Sequence, residues 1–430
     1  MMFFTVSTVP GIPSPPIDMH YIRFCRPPEV QAGRSQASVK IVLTITTDLS
    51  DAFLSPRNPV PLAVIGAYTE RGPGGDGADR LIPAPLTAAG SPPTWRAGMR
   101  VLKLDLPLPP LPRPLETLQI RPLSRQLAAL ATSDVLPGDR GLIMPVYADM
   151  PREPGAVGPS VCFRSLRLSA GDGRGGAGAA AAAAAVPPLQ IEEDLGESIA
   201  RHIWDSGVVM VSMLADLCSV GSPAGGGGPL PRLRSILLQQ LHRPLNILEL
   251  GCGVGVLGIG LARILSLAQQ AEAGAKEPPH ILMTDLPEAE GKARANIARQ
   301  AGSFEVAPAD LDFEPLDWQD GQHGKFGGKA GSRAWDLVVL CDCTYNTDTL
   351  PPLVKTLSAL HGHTARLGSS AAEAPTKTEV LVATKPRHSS ERIFFDLMSA
   401  DGWVVREQTV LPLPLLDAEG QTVEVYLFGK

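Results

Sequence analysis

The sequence predicts an α/β protein in which a smaller, mainly β domain precedes a doubly wound parallel sheet covered by helices. Three observations lead to this prediction. Residues 1–170 contain short apolar runs separated by proline and glycine turns, and helical periodicity is nearly absent there. A segment rich in glycine, alanine and proline, 171–188, then divides the chain. After residue 189, apolar strands alternate with helices, which is typical of a parallel sheet with both faces covered.

The first domain, residues 1–170, is predicted to be a small β-sandwich or barrel. Its candidate strands are Val39–Thr46, Pro61–Gly66, Met99–Leu106, Leu118–Arg121, Leu142–Tyr147 and Val161–Leu168. These segments contain no recognisable set of catalytic side chains, so we expect a structural or partner-binding role. The segment 171–188 has no apolar face to pack and is predicted to be a flexible linker.

The second domain, residues 189–430, shows the alternating pattern throughout. Its candidate strands are Leu245–Leu250, His280–Asp285, Trp335–Asp342, Glu379–Thr384, Trp403–Val405 and Val423–Phe428. Its candidate helices are Glu192–Leu217, Val256–Leu267, Ala289–Gln300, Leu350–Leu360 and Arg387–Ala400. Ligands of such sheets bind at the carboxyl ends of the strands, near the switch in strand order, so the loops after these strands are the candidate site.

Composition and charge exclude several function classes. The formal net charge of −6 argues against a nucleic-acid-binding surface, because neutralising phosphates requires a basic face. No uncharged apolar run is long enough to span a membrane, and Met1–Thr5 lacks the basic start of a signal peptide. The six cysteines form neither a CxxC pair nor a zinc spacing with the histidines. We therefore expect reduced thiols, no metal, and a location in the cytoplasm or nucleus.

The most specific motif is the glycine turn Glu249-Leu-Gly-Cys-Gly-Val-Gly255, which lies between a predicted strand and a predicted helix. Glycines at these positions let the backbone turn tightly and approach a ligand closely. A dinucleotide-binding dehydrogenase shares this spacing. Glu249, however, suits a cationic ligand better than a pyrophosphate, and Asp285 at the end of the next strand can accept hydrogen bonds from ribose hydroxyls.

Three further motifs follow in order: Thr284-Asp285, Leu316-Asp317-Trp318 and Asp342-Cys343-Thr344-Tyr345. Together with the glycine turn, they resemble the seven-strand protein-lysine methyltransferases, which modify chaperones, elongation factors and similar targets. The resemblance covers about residues 190–430 and implies a Rossmann-like sheet of seven strands with S-adenosylmethionine as cofactor. A β-rich first half joined to such a domain is similar to the fungal branch whose members methylate translation elongation factors.

Carried over by position, the resemblance implies a cofactor pocket built from five parts of the chain. Its residues are Trp204, Glu249, Gly251, Cys252, Gly253, Gly255, Asp285, Leu286, Trp318 and Cys341. Gly251–Gly253 would line the methionine part of the cofactor, and Asp285 would bind the ribose hydroxyls. Trp318 would pack near the adenine, and Cys341 would lie beneath the ligand, where a small side chain leaves room. For Trp204 and Trp318, burial in the core is the alternative interpretation.

Asp342 and Tyr345 are the candidate catalytic residues, because they follow the fourth strand at the edge where the methyl group would point. A lysine amine must lose its proton before it attacks. A carboxylate can orient that amine, and an aromatic ring can confine it. The sequence lacks Asn-Pro-Pro-Tyr, the motif associated with methylation of bases and glutamine, which favours lysine. Asp342 as a turn cap is the alternative, and Lys385–His388 is expected to be a solvated loop.

The leading hypothesis is a monomeric protein-lysine N-methyltransferase acting on an elongation factor or another translation protein, without direct contact to nucleic acid or membrane. A small-molecule N- or O-methyltransferase shares the cofactor fold and remains an alternative. A binding module that keeps the pocket as a scaffold, while the first domain recruits partners, is the second alternative. An open groove beside Asp342 and Tyr345 would favour the protein substrate, whereas a closed cavity would favour a small molecule.

Overall fold

The computed structural model describes most of both predicted domains. The described residues are 19–34, 36–70, 80–87, 91–151, 153, 155–168, 187–196, 201–219, 229–238, 244–271, 277–300, 310–368, 377–414 and 421–430. The predicted linker 171–188 lies outside these residues except for its last two positions. Within the described part of the chain, no helix is long and apolar enough to cross a membrane.

The first half forms two sheets in which most neighbouring strands are antiparallel. Its strands are β1 (His20–Phe24), β2 (Glu29–Gln31), β3 (Ser38–Thr46), β4 (Val60–Glu70), β5 (Arg80–Pro85), β6 (Thr94–Trp95), β7 (Leu102–Pro107), β8 (Thr117–Pro122), β9 (Ile143–Met144), β10 (Val146–Asp149), β11 (Val161–Leu166) and β12 (Leu189–Asp194), with a short helix, α1 (Thr132–Val135). Within the described residues, one sheet has the order β2-β3-β1-β9 with β7 beside β3. The other has the order β12-β11-β10-β8-β4-β5 with β6 beside β4.

The two sheets pack face to face around a shared core. In β3, buried and partly exposed residues alternate, which is the pattern of a strand with one face against a core. Ile41 of β3 and Leu62 of β4 belong to the same buried cluster as Trp95. The Trp95 indole N–H donates to the Leu54 carbonyl at 2.7 Å, so the polar atom of this buried ring is satisfied. The arrangement is that of a sandwich.

The predicted helix Glu192–Leu217 is wrong in its first part. Leu189–Asp194 is an edge strand, β12, which pairs antiparallel with β11 of the first half. Burial there alternates with a period of two, and Glu193 is among the buried residues because Arg164 forms an ion pair with it. The sequence offered three adjacent acidic residues, 192–194, which are typical of an exposed helix start, and contained no sign of the distant arginine. The helix begins at Asp205.

The second half forms a sheet of seven strands in the described part of the chain. Its strands are β13 (Asn246–Leu250), β14 (His280–Asp285), β15 (Asp310–Pro315), β16 (Leu337–Cys341), β17 (Glu379–Thr384), β18 (Val404–Pro412) and β19 (Thr422–Gly429). Its helices are α2 (Asp205–Leu217), α3 (Pro231–Leu238), α4 (Val256–Ala271), α5 (Pro287–Gln300), α6 (Trp318–Gly321), α7 (Leu350–Gly368) and α8 (Ile393–Ala400). The order is β15-β14-β13-β16-β17-β19-β18, in which β19 alone among these strands runs against its neighbours.

Helices cover both faces of this sheet, which confirms the predicted doubly wound fold. Ile247 of β13 joins a buried cluster with α2 and α4, whereas Leu248 joins the opposite cluster with α7 and α8. Strand β15 had not been predicted, because it is an edge strand whose charged residues Asp310, Asp312 and Glu314 hide the apolar pattern. The strand order reverses between β13 and β16, which places the expected ligand crevice at their carboxyl ends.

The two domains also share one hydrophobic cluster. Tyr21 of β1 is buried in the same cluster as Val208 and Val211 of α2. Leu189 and Ile191 join this cluster from β12, a strand that pairs with β11 of the first half although the predicted boundary at residue 189 assigned it to the second domain. Burial of these apolar side chains in one cluster removes them from water, so the interface contributes to the stability of both domains. The first domain is therefore packed against the second through a continuous core.

Candidate active site

A cavity of about 370 Å³ opens at the carboxyl ends of β13 and β16, and its volume is in the range of cofactor pockets. Eleven of the twelve residues that the sequence assigns to the site line this cavity. They are Trp204, Glu249, Gly251, Cys252, Gly253, Asp285, Leu286, Trp318, Cys341, Asp342 and Tyr345. Gly255 does not belong to the lining; it turns the chain below it, with a φ of +84°.

The glycine turn brings backbone close to the cavity. Gly251 has a φ of +69°, a conformation that favours glycine. A Cβ atom on Gly251 would lie 2.6 Å from Cys343 Sγ and 3.4 Å from Cζ2 of Trp318. The missing side chain therefore leaves the space between β13, β16 and the Trp318 ring open to a ligand.

Glu249 lies on the cavity wall and is buried. Its Oε2 accepts a hydrogen bond from the Gly258 N–H at 3.0 Å. Burial, with a contribution from the charge of Asp285, raises the pKa of Glu249 to about 8. The side chain therefore holds a proton at neutral pH in the free protein. A ligand with a positive charge nearby would favour the ionised form.

Asp285 ends β14 and turns its carboxylate toward the glycine turn. Oδ2 accepts from the Gly253 N–H at 2.7 Å, and Oδ1 accepts from the Leu286 N–H at 2.7 Å. Each oxygen keeps acceptor capacity for one more donor. Two adjacent hydroxyls, as on a ribose, fit this pair of acceptors, and burial raises the pKa of the carboxyl group.

Two tryptophans and three cysteines supply apolar surface to the cavity. Trp318 begins α6, which Asp317 caps by accepting from the Gln319 N–H at 2.8 Å. Trp204 immediately precedes α2. Burial raises the pKa values of Cys252, Cys341 and Cys343 well above the usual value for a thiol, so these side chains stay uncharged. The walls suit a flat aromatic ring and provide no thiolate nucleophile among these three residues.

Asp342 lies at the end of β16 with a φ of +51°, an uncommon value for a residue other than glycine. Its Oδ1 accepts hydrogen bonds from Arg387 Nη1 at 3.0 Å and from the Lys385 N–H at 3.2 Å. Its Oδ2 accepts from the Ser206 N–H at 3.4 Å. Tyr345 stands at the cavity mouth with 59% of its surface exposed. The carboxylate is thus fixed in place, and the aromatic ring faces solvent.

The prediction of a solvated loop at Lys385–His388 is wrong. Lys385 is buried, and Arg387 lines the cavity. Lys385 Nζ donates to Asp205 Oδ2 at 2.7 Å, and Arg387 forms an ion pair with Asp48 at 2.6 Å. Sequence patterns assign basic residues in a loop to the surface, because the carboxylates that pair with them come from distant parts of the chain. The sequence feature that could have indicated a site here is the position of Lys385 and Arg387 directly after β17, the fifth parallel strand.

The first domain also reaches the site, which the sequence did not indicate. Leu49, in the turn after β3, lines the cavity, as does His202 ahead of α2. The turn is held by a hydrogen bond from the Thr47 N–H to the Ala52 carbonyl at 3.0 Å. The Leu49 N–H donates to the Asp48 carboxylate at 2.9 Å. Leu49 lines the same cavity as residues of the second domain because the two domains pack together.

Among the residues that the structure describes, no group of three or more histidine, cysteine, aspartate or glutamate side chains is arranged to hold a metal ion. The side chains that face the cavity instead match the parts of S-adenosylmethionine. The two carboxylate oxygens of Asp285 suit its ribose hydroxyls, and the indole of Trp318 suits its adenine. The buried acid Glu249 suits its cationic methionine part. An open cradle at Gly251 leaves space for the ligand.

Comparisons with known proteins indicate the family of the chain. The family model described as lysine methyltransferase matches residues 184–401. A UPF0665 family protein of Schizosaccharomyces pombe is 25% identical over 245 residues, which are 55% of each chain. The chain thus spans about half the length of this curated relative.

Two solved structures are also similar to the chain. A precorrin-6y C5,15-methyltransferase of Geobacter metallireducens shares 9% identity over 46% of this chain and 87% of its own, with a TM-score of 0.29. An S-adenosylmethionine-dependent methyltransferase of Methanosarcina mazei shares 13% identity over 45% of this chain and 96% of its own, with a TM-score of 0.28.

Proposed function

Since the chain belongs to the lysine methyltransferase family, we propose that it methylates the side-chain nitrogen of a lysine in a protein substrate. The family is that of lysine methyltransferases; S-adenosylmethionine as the methyl donor and a protein lysine as the acceptor are the proposal. The observation that carries it is that a buried carboxylate, Asp342, and an exposed aromatic residue, Tyr345, line the same cavity as the glycine turn and Asp285.

The residues of the inner cavity would hold the cofactor. Asp285 would accept hydrogen bonds from the ribose hydroxyls, and Trp318 would pack against the adenine. Gly251 would let the backbone approach the methionine part, and Glu249 would face its positive charge. When bound, S-adenosylmethionine supplies the methyl group: the lysine Nζ forms the new C–N bond, and the electron pair of the broken C–S bond stays on sulfur.

The residues of the mouth would receive the lysine. Asp342, fixed by three hydrogen bonds, would orient the amine. Tyr345 and Leu49 would confine its methylene stem. The pKa of a lysine ammonium in water is about 10.4, so the group must release its proton, which water can accept, before it becomes a nucleophile.

Exposure at the cavity mouth favours a protein over a small molecule as the acceptor. Tyr345 is 59% exposed, and Leu49 and Leu286 are each 48% exposed, although all three line the cavity. A site for a small molecule buries most of its ligand, whereas a site for a lysine on a protein must admit a side chain from outside. A translation elongation factor is the substrate to test first, because the motifs resemble those of enzymes that methylate such factors.

Radiolabelled S-adenosylmethionine and a cell extract test the proposal. Wild-type protein should label a discrete protein band, Asp342→Ala should label it at least about a hundredfold less, and Asp396→Ala should label it normally. Asp396 is an exposed aspartate on α8, outside the cavity lining, and is the matched control. Label confined to small metabolites would contradict a protein substrate. Failure to bind the cofactor at all would leave the scaffold alternative.

A further inference from the structure

We infer that Arg387, anchored by Asp48 of the first domain, is a positioning residue that offsets the charge of Asp342, so that the target lysine is bound as the free amine. The inference rests on the proposed function, since it concerns a lysine acceptor. It assigns to the first domain a part in the methyl-transfer site, in place of the separate structural or partner-binding role that the sequence suggested.

One guanidinium group bridges two carboxylates from two domains. Arg387 Nη1 donates to Asp342 Oδ1 at 3.0 Å, and Arg387 Nη2 donates to Asp48 Oδ2 at 2.6 Å. The guanidinium carbon lies 5.4 Å from the centre of the Trp204 ring. Two ion pairs and a ring contact therefore fix the position of Arg387 at the cavity wall.

Asp48 is held firmly enough to serve as an anchor. Its side chain is only 1% exposed. Arg23 Nη2 donates to the Asp48 carbonyl at 3.2 Å, and His202 lies beyond, with Nδ1 3.3 Å from Arg23 Nη1. Burial alone would raise the pKa of Asp48. The charges of Lys385 and Arg387 lower it, so Asp48 is ionised at neutral pH.

The remaining charges near Arg387 belong to a second ion pair. Lys385 Nζ lies 2.7 Å from Asp205 Oδ2 and 3.6 Å from Asp48 Oδ1. Tyr21 donates its hydroxyl hydrogen to Asp205 Oδ1 at 2.7 Å. Burial, followed by the charge of Asp48, raises the pKa of Asp205. Lys385 pairs with Asp205, and among the residues that the structure describes Arg387 is the cation whose side chain contacts Asp342.

The ion pair resolves a conflict in the chemistry of the site. An isolated, buried carboxylate beside the lysine would stabilise the ammonium form, which cannot attack a methyl group. Burial alone would lower the pKa of Arg387. The charges of Asp342 and Asp48 raise it, so the guanidinium stays charged. Arg387 Nη1 lies 3.0 Å from Asp342 Oδ1 and offsets the charge of that carboxylate. Asp342 can therefore accept a hydrogen bond from the lysine amine without favouring the protonated form of the lysine.

The test is the pH dependence of single-turnover methyl transfer, with the protein substrate identified by the labelling experiment. In saturating substrate, the acidic limb of this profile reports the ionisation of the bound lysine. Arg387→Gln should move the limb to higher pH by about one unit, so that the rate on the limb falls about tenfold. Arg387→Lys, which keeps a positive charge beside Asp342, should leave the limb close to its wild-type position.

A control variant separates this role from a loss of folding. Arg392→Gln makes the same chemical change at an exposed arginine that pairs with Glu424 and does not line the cavity, and it should leave the profile unchanged. Thermal unfolding and calorimetric binding of S-adenosylhomocysteine should show that the Arg387 variants are folded. A rate that falls equally at every pH in Arg387→Gln would overturn the inference while the proposed function stands. Wild-type protein that methylates no lysine would overturn both.

Discussion

Tyr21, in the first strand of the sandwich, donates a hydrogen bond of 2.7 Å to Asp205, the first residue of helix α2 in the second domain. Lys385, after the fifth parallel strand, donates to the other oxygen of the same carboxylate at 2.7 Å. Asp205 and Lys385 are buried, and Tyr21 belongs to the apolar cluster that the two domains share. This polar contact lies within the core and links the two domains at the base of the candidate active site.

We expect the two domains to unfold together. In Tyr21→Phe, Asp205 Oδ1 loses its hydroxyl donor inside the core, so the free energy of unfolding should fall by about 1–3 kcal/mol. Calorimetry should show one transition for wild type and variant, shifted to lower temperature in the variant. Tyr68→Phe, at a partly exposed tyrosine of the first domain, is the control and should change little. Two separate transitions, with a shift in only one, would contradict a shared core.

Cofactor affinity should depend on pH through Glu249. Because the pKa of Glu249 is about 8 in the free protein and a nearby cation lowers it, binding releases a proton. Affinity for S-adenosylmethionine should therefore rise with pH, by up to about tenfold per unit, and level off above the free-protein pKa. Titration calorimetry from mildly acidic to mildly alkaline pH measures this. Glu249→Gln should flatten the dependence, and S-adenosylhomocysteine, which lacks the sulfonium charge, should show less of it. An equal slope in wild type and variant would refute the role of Glu249.

Gly251→Ala should weaken cofactor binding by at least about tenfold. The new methyl group would lie 2.6 Å from Cys343 Sγ, inside the cavity lining, on a backbone with a φ of +69°. Both the collision and the strain act at the place where the backbone approaches the ligand. Gly291→Ala, on α5, has nothing within 4 Å of the added atom and should bind normally. Wild-type affinity in Gly251→Ala would show that the ligand lies elsewhere.

Leu49→Ala should impair use of the protein substrate and leave the cofactor untouched. Leu49 lines the mouth from the first domain, and removing its apolar surface should raise KM for the protein about threefold to tenfold. Affinity for S-adenosylhomocysteine should stay within error of wild type. Leu81→Ala, in β5 of the same domain, removes a leucine of similar exposure outside the cavity lining and serves as the control. Equal kinetics in both variants would exclude a substrate contact at Leu49.

The parts of the site that sequence could predict are the parts encoded locally. Gly251–Gly255 follows a strand and opens a helix, and Asp285 ends the neighbouring strand, so the fold alone brings them together. Asp342 follows β16 by the same logic. Because carboxyl ends of adjacent parallel strands meet at one edge, the order of motifs along the chain was enough to gather them.

The parts that sequence missed depend on pairing between distant segments. Glu193 is a strand residue because Arg164 neutralises it, and Arg387 is a cavity residue because Asp48 reaches it from the other domain. No periodicity records such a pair, since each member looks like an ordinary surface charge in its own segment. The contribution of the first domain to the cavity was lost for the same reason.

Site-specific mass spectrometry after incubation with methyl-deuterated S-adenosylmethionine tests the central claim most directly. The account predicts that wild-type protein places the deuterated methyl group on a lysine Nζ of a purified substrate protein, and that Asp342→Ala leaves that lysine unmodified. A label found on another kind of atom, or on the same lysine at equal yield with Asp342→Ala, would contradict it.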